Sequence, residues 1–288
     1  MFETRTIVLD DATIVYDVRG PEPVPDQKPL LLIGQPMDAS GFTALADRFP
    51  DRAVVTYDPR GLGRSTRRDG GVDADPDVQG ADLHRIIGAL DVGPVDVFAS
   101  SGGAVAAFAL VAAHPNDVAT LVAHEPPLAS VLPDEDAVHR AFADVVAEYQ
   151  ARGWSAGMAR FLAMNMWQGE LTADYFERPA PSPSEFGFAD VDDGRRDDPL
   201  FSGSAAVMAF RPDVAALLAA PTRVVIAVGE ESAGTFTART SEAMAALLGQ
   251  RAVVFPSHHG GFVGGDGPYA GRPAAFAERL RSMLDPSQ

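Results

Sequence analysis

Cysteine is absent from the 288-residue sequence, so no disulfide framework, thiol nucleophile or cysteine-ligated zinc is available. Basic residues are scarce. The 23 Lys+Arg stand against 40 Asp+Glu, a formal net charge of −17. A surface of that sign repels phosphate backbones and anionic headgroups, so neither nucleic acid nor a membrane is expected as a partner. Long apolar runs are missing too. No window reaches the ~18 uncharged apolar residues of a spanning helix, and the most apolar stretch, 95–111, contains Asp96, two serines and two glycines. Residues 1–9 lack the basic n-region and apolar h-region of a secretory leader, and the expectation is a cytoplasmic protein. What is present is 46% hydrophobic residues, enough for a sizeable core.

Short strands and helices alternate along most of the chain. Residues 4–9 and 13–18 are rich in β-branched side chains and predict a hairpin-like pair, followed by a proline-rich surface connection over 20–26. Residues 30–33, Leu-Leu-Leu-Ile, form a continuous apolar run, the pattern of a strand buried on both faces. A helix is predicted near 40–48 and strands at 53–57 and 95–98. Leu83, Ile86, Ile87 and Leu90 fall at i, i+3, i+4 and i+7 on a helix starting near Pro76. A small-residue helix over 102–114 and a strand at 119–123 follow. The rhythm then stops. From 133 to about 210 the pattern is helical or irregular, with Val138, Phe142, Val145, Val146 and Tyr149 on one stripe and an apolar segment, 154–167. It resumes with a strand at 222–228, a helix near 237–248, a strand at 252–255 and a last helix near 273–284. This alternation predicts an α/β fold, with a mostly parallel central sheet and helices on both faces. Residues 1–130 and 205–288 make its core, and 131–204 make a helical cap over the C-terminal sheet edge, where such folds bind ligands.

The strand at 95–98 runs into Ala99-Ser100-Ser101-Gly102-Gly103, which opens directly into a helix. A small-x-Ser-x-small pentapeptide in that context is a variant of G-x-S-x-G. Small flanking residues let strand and helix approach, and the hydroxyl between them stands exposed beside free helix N–H groups. By register Ser101 is the nucleophile and the Gly102 N–H an oxyanion donor. The competing reading is a serine that merely caps a helix.

On this turn and three further stretches the chain resembles the α/β-hydrolase fold family. Asp58-Pro59-Arg60-Gly61-Leu62-Gly63-Arg64-Ser65 is similar to that family's D-x-R-G-x-G-x-S turn. Ile33-Gly34-Gln35-Pro36 resembles its H-G-x-P loop, with Ile33 in place of histidine, and the resemblance implies Gln35 as the second oxyanion donor. Phe255-Pro256-Ser257-His258-His259-Gly260-Gly261 lies where the family keeps its catalytic histidine.

A serine hydroxyl needs a base, and histidine can both take and return a proton near neutral pH. His84 and His114 lie on or at the end of helices and read as structural or solvated; His139 belongs to the cap. His259 is preferred over His258, because the glycines after it leave room for the ring to turn inward. The pair lacks H-E-x-x-H spacing, so no metal is expected, and no cofactor is needed. The acid is open. In Gly229-Glu230-Glu231-Ser232 the family's usual aspartate position holds Ser232. Glu125, in His124-Glu125-Pro126-Pro127, follows the preceding strand, where some family members carry their acid, and is the first choice, with Glu231 or Glu230 as the alternative.

Met37, Phe42, Trp154, Met158 and Trp167, with Met164 and Met166, are candidates for an apolar substrate pocket. Asp38 reads as the start of a helix and 195–198 as a solvated loop. The expected activity is that of a serine carboxylic ester hydrolase on a small apolar acyl or aromatic substrate. Perhydrolase, lactonase, carbon–carbon hydrolase and cofactor-free oxygenase chemistry, and a non-catalytic small-molecule receptor, are its rivals on this fold.

Overall fold

The continuous apolar run becomes a central strand. In the computed structural model, which describes residues 2–24, 27–267 and 269–285, Leu30–Gln35 is buried at every position. The first half of the chain comprises β1 (Phe2–Val8), β2 (Ala12–Arg19), β3 (Leu30–Gln35), α1 (Thr43–Ala46), β4 (Val54–Asp58), β5 (Thr66–Arg67) and α2 (Pro76–Leu90). Then come β6 (Val95–Ser101), α3 (Gly102–Ala113) and β7 (Val118–His124). A helical stretch follows, with α4 (Glu135–Arg152), α5 (Trp154–Met166), α6 (Ala173–Phe176), α7 (Pro199–Gly203), α8 (Ala205–Ala209) and α9 (Val214–Ala219). The chain closes with β8 (Arg223–Gly229), α10 (Phe236–Leu247), β9 (Val253–Phe255) and α11 (Pro273–Leu284).

The strands form one sheet in the order β1-β2-β4-β3-β6-β7-β8-β9, with β5 alongside β2. β1 and β2 form the expected antiparallel pair, β2 is antiparallel to β4, and every step from β4 to β9 is parallel. Alternate residues of β3 face opposite sides. Leu31 and Ile33 pack with α2, α3, α9 and α10, while Leu30 and Leu32 pack with α1 and α11. A strand covered on both faces must be apolar at consecutive positions, hence the run.

Between β7 and β8 the chain adds no strand among the described residues. Of the predicted stripe, Val138, Phe142, Val145 and Tyr149 are buried in a separate apolar cluster with Met164, Phe201 and Met208, and Val146 packs against it partly buried. Phe236 at the start of α10 joins the same cluster, so insertion and core share a contact. Val207, one residue before Met208, belongs to the main core cluster.

Two local expectations change. The helix predicted near 40–48 is a 3₁₀ turn, Ala39–Phe42, followed by the four residues of α1. The Asp58 carboxylate accepts from Ala39 N–H and the Asp38 side chain from Ser40 N–H, and Gly41 N–H closes the tighter i→i+3 turn onto the Asp38 carbonyl. The short β5 was not legible in the pattern. Of the connection at 20–26, Pro25 and Asp26 lie outside the described residues. Among the described residues no helix is long and apolar enough to cross a membrane.

Candidate active site

β6 ends on Ser101 and α3 starts at Gly102, so the reversal happens at a single residue. Ser101 absorbs it with φ 57° and ψ −132°, a conformation that costs an L-residue energy and persists only where the surroundings impose it. The tightness has a visible cause. A Cβ on Gly103 would stand 2.8 Å from both Gly34 Cα and Ile33 O, so the helix can lie against β3 only because position 103 has no side chain. Although Ser101 occupies the N-cap position, its side chain caps no helix N–H. Among the described residues its hydroxyl makes no hydrogen bond at all. The reading of Ser101 as a capping serine therefore fails on geometry.

Gln35 is the register partner of Ser101 across β3 and β6. The bond from Gln35 to Pro36 is cis, and a Cβ on Gly102 would meet Gln35 O at 3.0 Å. The two expected oxyanion donors thus belong to touching stretches of backbone. The D-x-R-G-x-G-x-S turn braces them from below. Asp58 accepts from Ala39 N–H at 3.0 Å and from Arg64 N–H at 2.8 Å, and Arg64 also pairs with Asp17. Arg60 makes a two-pronged contact with the buried Asp82. Ser65 accepts from Val15 N–H and donates to the Asp58 carbonyl. Those motif residues hold the loops; they do not open into the cavity.

His259 Nδ1 lies 2.6 Å from Glu125 Oε2. Glu125 is completely buried, at the end of β7. Gly229 N–H donates to its Oε1 at 2.8 Å and the Thr237 hydroxyl to its Oε2 at 2.7 Å. Burial pushes this carboxyl up, but the hydrogen bond and charge of His259, the charge of His124 and the Ser232 side chain outweigh it. The net result is a carboxyl held below its ordinary range. The alternative acids are committed elsewhere. Glu230 and Glu231 both pair with Arg272 at the surface. His258 accepts the Gly260 N–H on its Nδ1 at 3.0 Å. Ser232, at the family's usual acid position, supports Glu125 instead.

Two contributors were missed in the sequence. Thr237 gives no pattern to read. His124 had one signal, its place beside Glu125 at the end of a buried strand. Its ring is fully buried among Phe98, Phe255, Phe262 and Phe276 and sits 6.1 Å from the ring of His259. Nδ1 lies 3.3 Å from the Ser100 hydroxyl, and Nε2 approaches Glu125 at 4.0 Å. Burial lowers its pKa from 6.5 to about 4.

Ser101, Gly102, Gln35, His258 and His259 open onto one cavity of ≈390 Å³. Its other walls are chiefly apolar and come largely from the insertion, through Phe142, Phe161, Leu162 and Met164, with Met208 of α8 and Phe236 of α10. Met166 also lines it, and Glu231 stands among the lining groups. The five residues first expected to line the pocket lie elsewhere. Met37 packs into the core below the loop, and Phe42 stacks on Phe262 there. Trp154 donates to Asp198 and packs on Phe188. Met158 belongs to the insertion's own cluster. Trp167 meets Tyr175 and the Arg178 guanidinium. Asp38 does start the following turn, and Arg195 and Asp197 are exposed.

This sheet order, with a serine at the bend after the central β6 and a histidine after the last strand, is that of a known fold. A family profile described as alpha/beta hydrolase fold matches residues 31–163. The chain has the α/β-hydrolase fold. Over 285 residues the chain is 26% identical to YraK, an uncharacterized hydrolase of Bacillus subtilis strain 168, covering 97% of this chain and 95% of that one. A thermophilic esterase from Thermogutta terrifontis superposes with a TM-score of 0.67 at 18% identity, over 99% of this chain and 98% of the other. Est816, described as an N-acyl homoserine lactone degrading enzyme, gives a TM-score of 0.66 at 19% identity, over 96% and 99%. At such identities the structural likeness speaks for the fold.

Proposed function

We propose that the protein is a serine hydrolase that cleaves carboxylic esters or related acyl compounds through an acyl-enzyme. One observation carries this reading. The uncommitted hydroxyl of Ser101 and the carboxylate-bound ring of His259 face the same apolar cavity. With Nδ1 engaged by Glu125, Nε2 of His259 is the base. It takes the Ser101 proton as Oγ attacks the carbonyl carbon; the step requires the Ser101 side chain to rotate toward the ring, the tightening that unliganded sites commonly undergo. The backbone N–H groups of Gln35 and Gly102 receive the oxyanion, an interaction often worth more than any other in such reactions. His259 returns the proton to the leaving alcohol, and water, activated by the same ring, releases the acid. Glu125 orients the imidazole and stabilises it when charged.

Residues 131–204 serve as the cap in this reading, their apolar side chains shaping the acyl or aryl pocket above Ser101. Wild type and Ser101→Ala, assayed on p-nitrophenyl esters of increasing acyl length and on an N-acyl lactone, test it. Fluorophosphonate labelling with peptide mapping locates the nucleophile. Turnover by wild type, with label on Ser101, is expected. A fully folded wild type with neither turnover nor label is the result that turns the reading into a receptor or an oxygenase.

A further inference from the structure

His84 on α2, His114 at the end of α3 and Asp117 before β7 converge outside the cavity, with one donor atom from each lying within 4.8 Å of the other two. We propose that these three residues form a divalent-cation site, best matched to zinc, which staples the fold at the end of the sheet remote from Ser101. The location follows from the strands. Val95 N–H donates to the Asp117 carbonyl at the start of β6, whereas Ser101 ends it, so roughly 20 Å separates the two sites.

The donor atoms are already gathered. The imidazoles of His84 and His114 stack with centroids 3.7 Å apart and planes 5° from parallel. His84 Nδ1 lies 2.6 Å from Asp117 Oδ2. The backbone beneath is fixed. His114 N–H donates to Leu110 O, Asp117 N–H donates to His114 O, and the Thr222 hydroxyl bonds the carbonyls of Pro115 and Val118. The neighbouring cation, Arg85, is drawn toward Asp82. Two nitrogens and a carboxylate oxygen suit zinc, with water completing a tetrahedron. Donor atoms around such an ion stand about 3.3 Å apart, and because the two rings stack face to face, one of them must turn out of the stack to aim its ring nitrogen at the ion. His84 and Asp117 are partly exposed, within reach of solvent ions. A bound ion would tie α2, α3 and the turn into β7 together.

Zinc alone, titrated into the full chain in a weakly coordinating buffer, tests the site by calorimetry and thermal unfolding. One equivalent should bind, and at a hundredfold excess over Kd the Tm should rise by about 5 °C or more, reversibly with EDTA. His114→Ala and His84→Gln should each weaken binding at least tenfold and remove the Tm response. Ester turnover without added zinc should be the same as wild type in both. Equal heats and equal Tm shifts in wild type and both variants would overturn the proposal, whatever the outcome of the ester assays.

Discussion

Glu125 and His259 are 134 positions apart in sequence and 2.6 Å apart in the fold. The carboxylate sits at the end of β7, fully buried, and two further donors, Gly229 N–H and the Thr237 hydroxyl, hold its two oxygens. A carboxylate so constrained fixes one edge of an imidazole and leaves the other to face the cavity.

The first prediction compares two acids. Glu125→Gln should lower kcat on an activated ester by roughly 10³–10⁴, the scale for removing the charge behind a catalytic histidine. Glu231→Gln, whose carboxylate is held by Arg272, should stay within about twofold of wild type. Circular dichroism checks that both are folded. Near-wild-type turnover by Glu125→Gln would remove it from the mechanism.

Strain at Ser101 makes a second prediction. Its φ of 57° favours glycine, so Ser101→Gly should abolish turnover and stabilise the fold by about 1 kcal/mol. Ser101→Ala keeps a Cβ and should be equally inactive without that gain. Comparative denaturant melts decide the matter; equal midpoints for the two variants would mean the bend carries no strain.

The paired glycines should separate stability from activity. At position 103 a methyl group would face rigid backbone at 2.8 Å, and Gly103→Ala is expected to cost about 3 kcal/mol or more of stability. At position 102 the nearest atoms belong to Gln35, at 3.0–3.2 Å. Gly102→Ala should therefore displace the Gln35 loop and lower kcat by about 10²–10³, with a smaller loss of stability. Urea titration and ester kinetics on both variants provide the comparison.

His124 predicts a pH dependence. Its pKa falls from 6.5 unfolded to about 4 folded, so in the window between these values the unfolded chain binds a proton that the native protein rejects. The corresponding stability is complete above pH 6.5 and is lost as pH falls toward 4, about 3 kcal/mol in all. Glu125, whose folded pKa is also depressed, loses its contribution in the same direction at lower pH, below its ordinary value. His124→Phe, suited to the surrounding rings, should flatten the slope of unfolding free energy between pH 6.5 and 4. An unchanged slope would place the proton uptake elsewhere.

The pocket walls give a last prediction. Leu162 lines the cavity from α5, and Leu162→Trp should reduce kcat/KM for long acyl esters at least tenfold more than for acetate. A uniform loss across the series would mean that the acyl chain lies elsewhere.

Much of this was written in local pattern. The run at 30–33 demanded a strand covered on both faces, small residues around Ser101 demanded a close strand-to-helix turn, and the glycines after His259 marked a loop free to turn a ring inward. Each of these depends on neighbours within a few residues, which is the range over which sequence constrains backbone. The choice between Glu125 and Glu231 did not have that character. It was decided by which carboxylate the parallel strands β7 and β8 bring beside His259, and by Thr237 and Gly229 arriving from other elements to hold it. The pocket was hidden for a related reason. α5 is apolar nearly all round, so periodicity named no inward face, and only packing separated Trp154 and Met158, spent inside the insertion, from Phe161 and Leu162, which look down on Ser101.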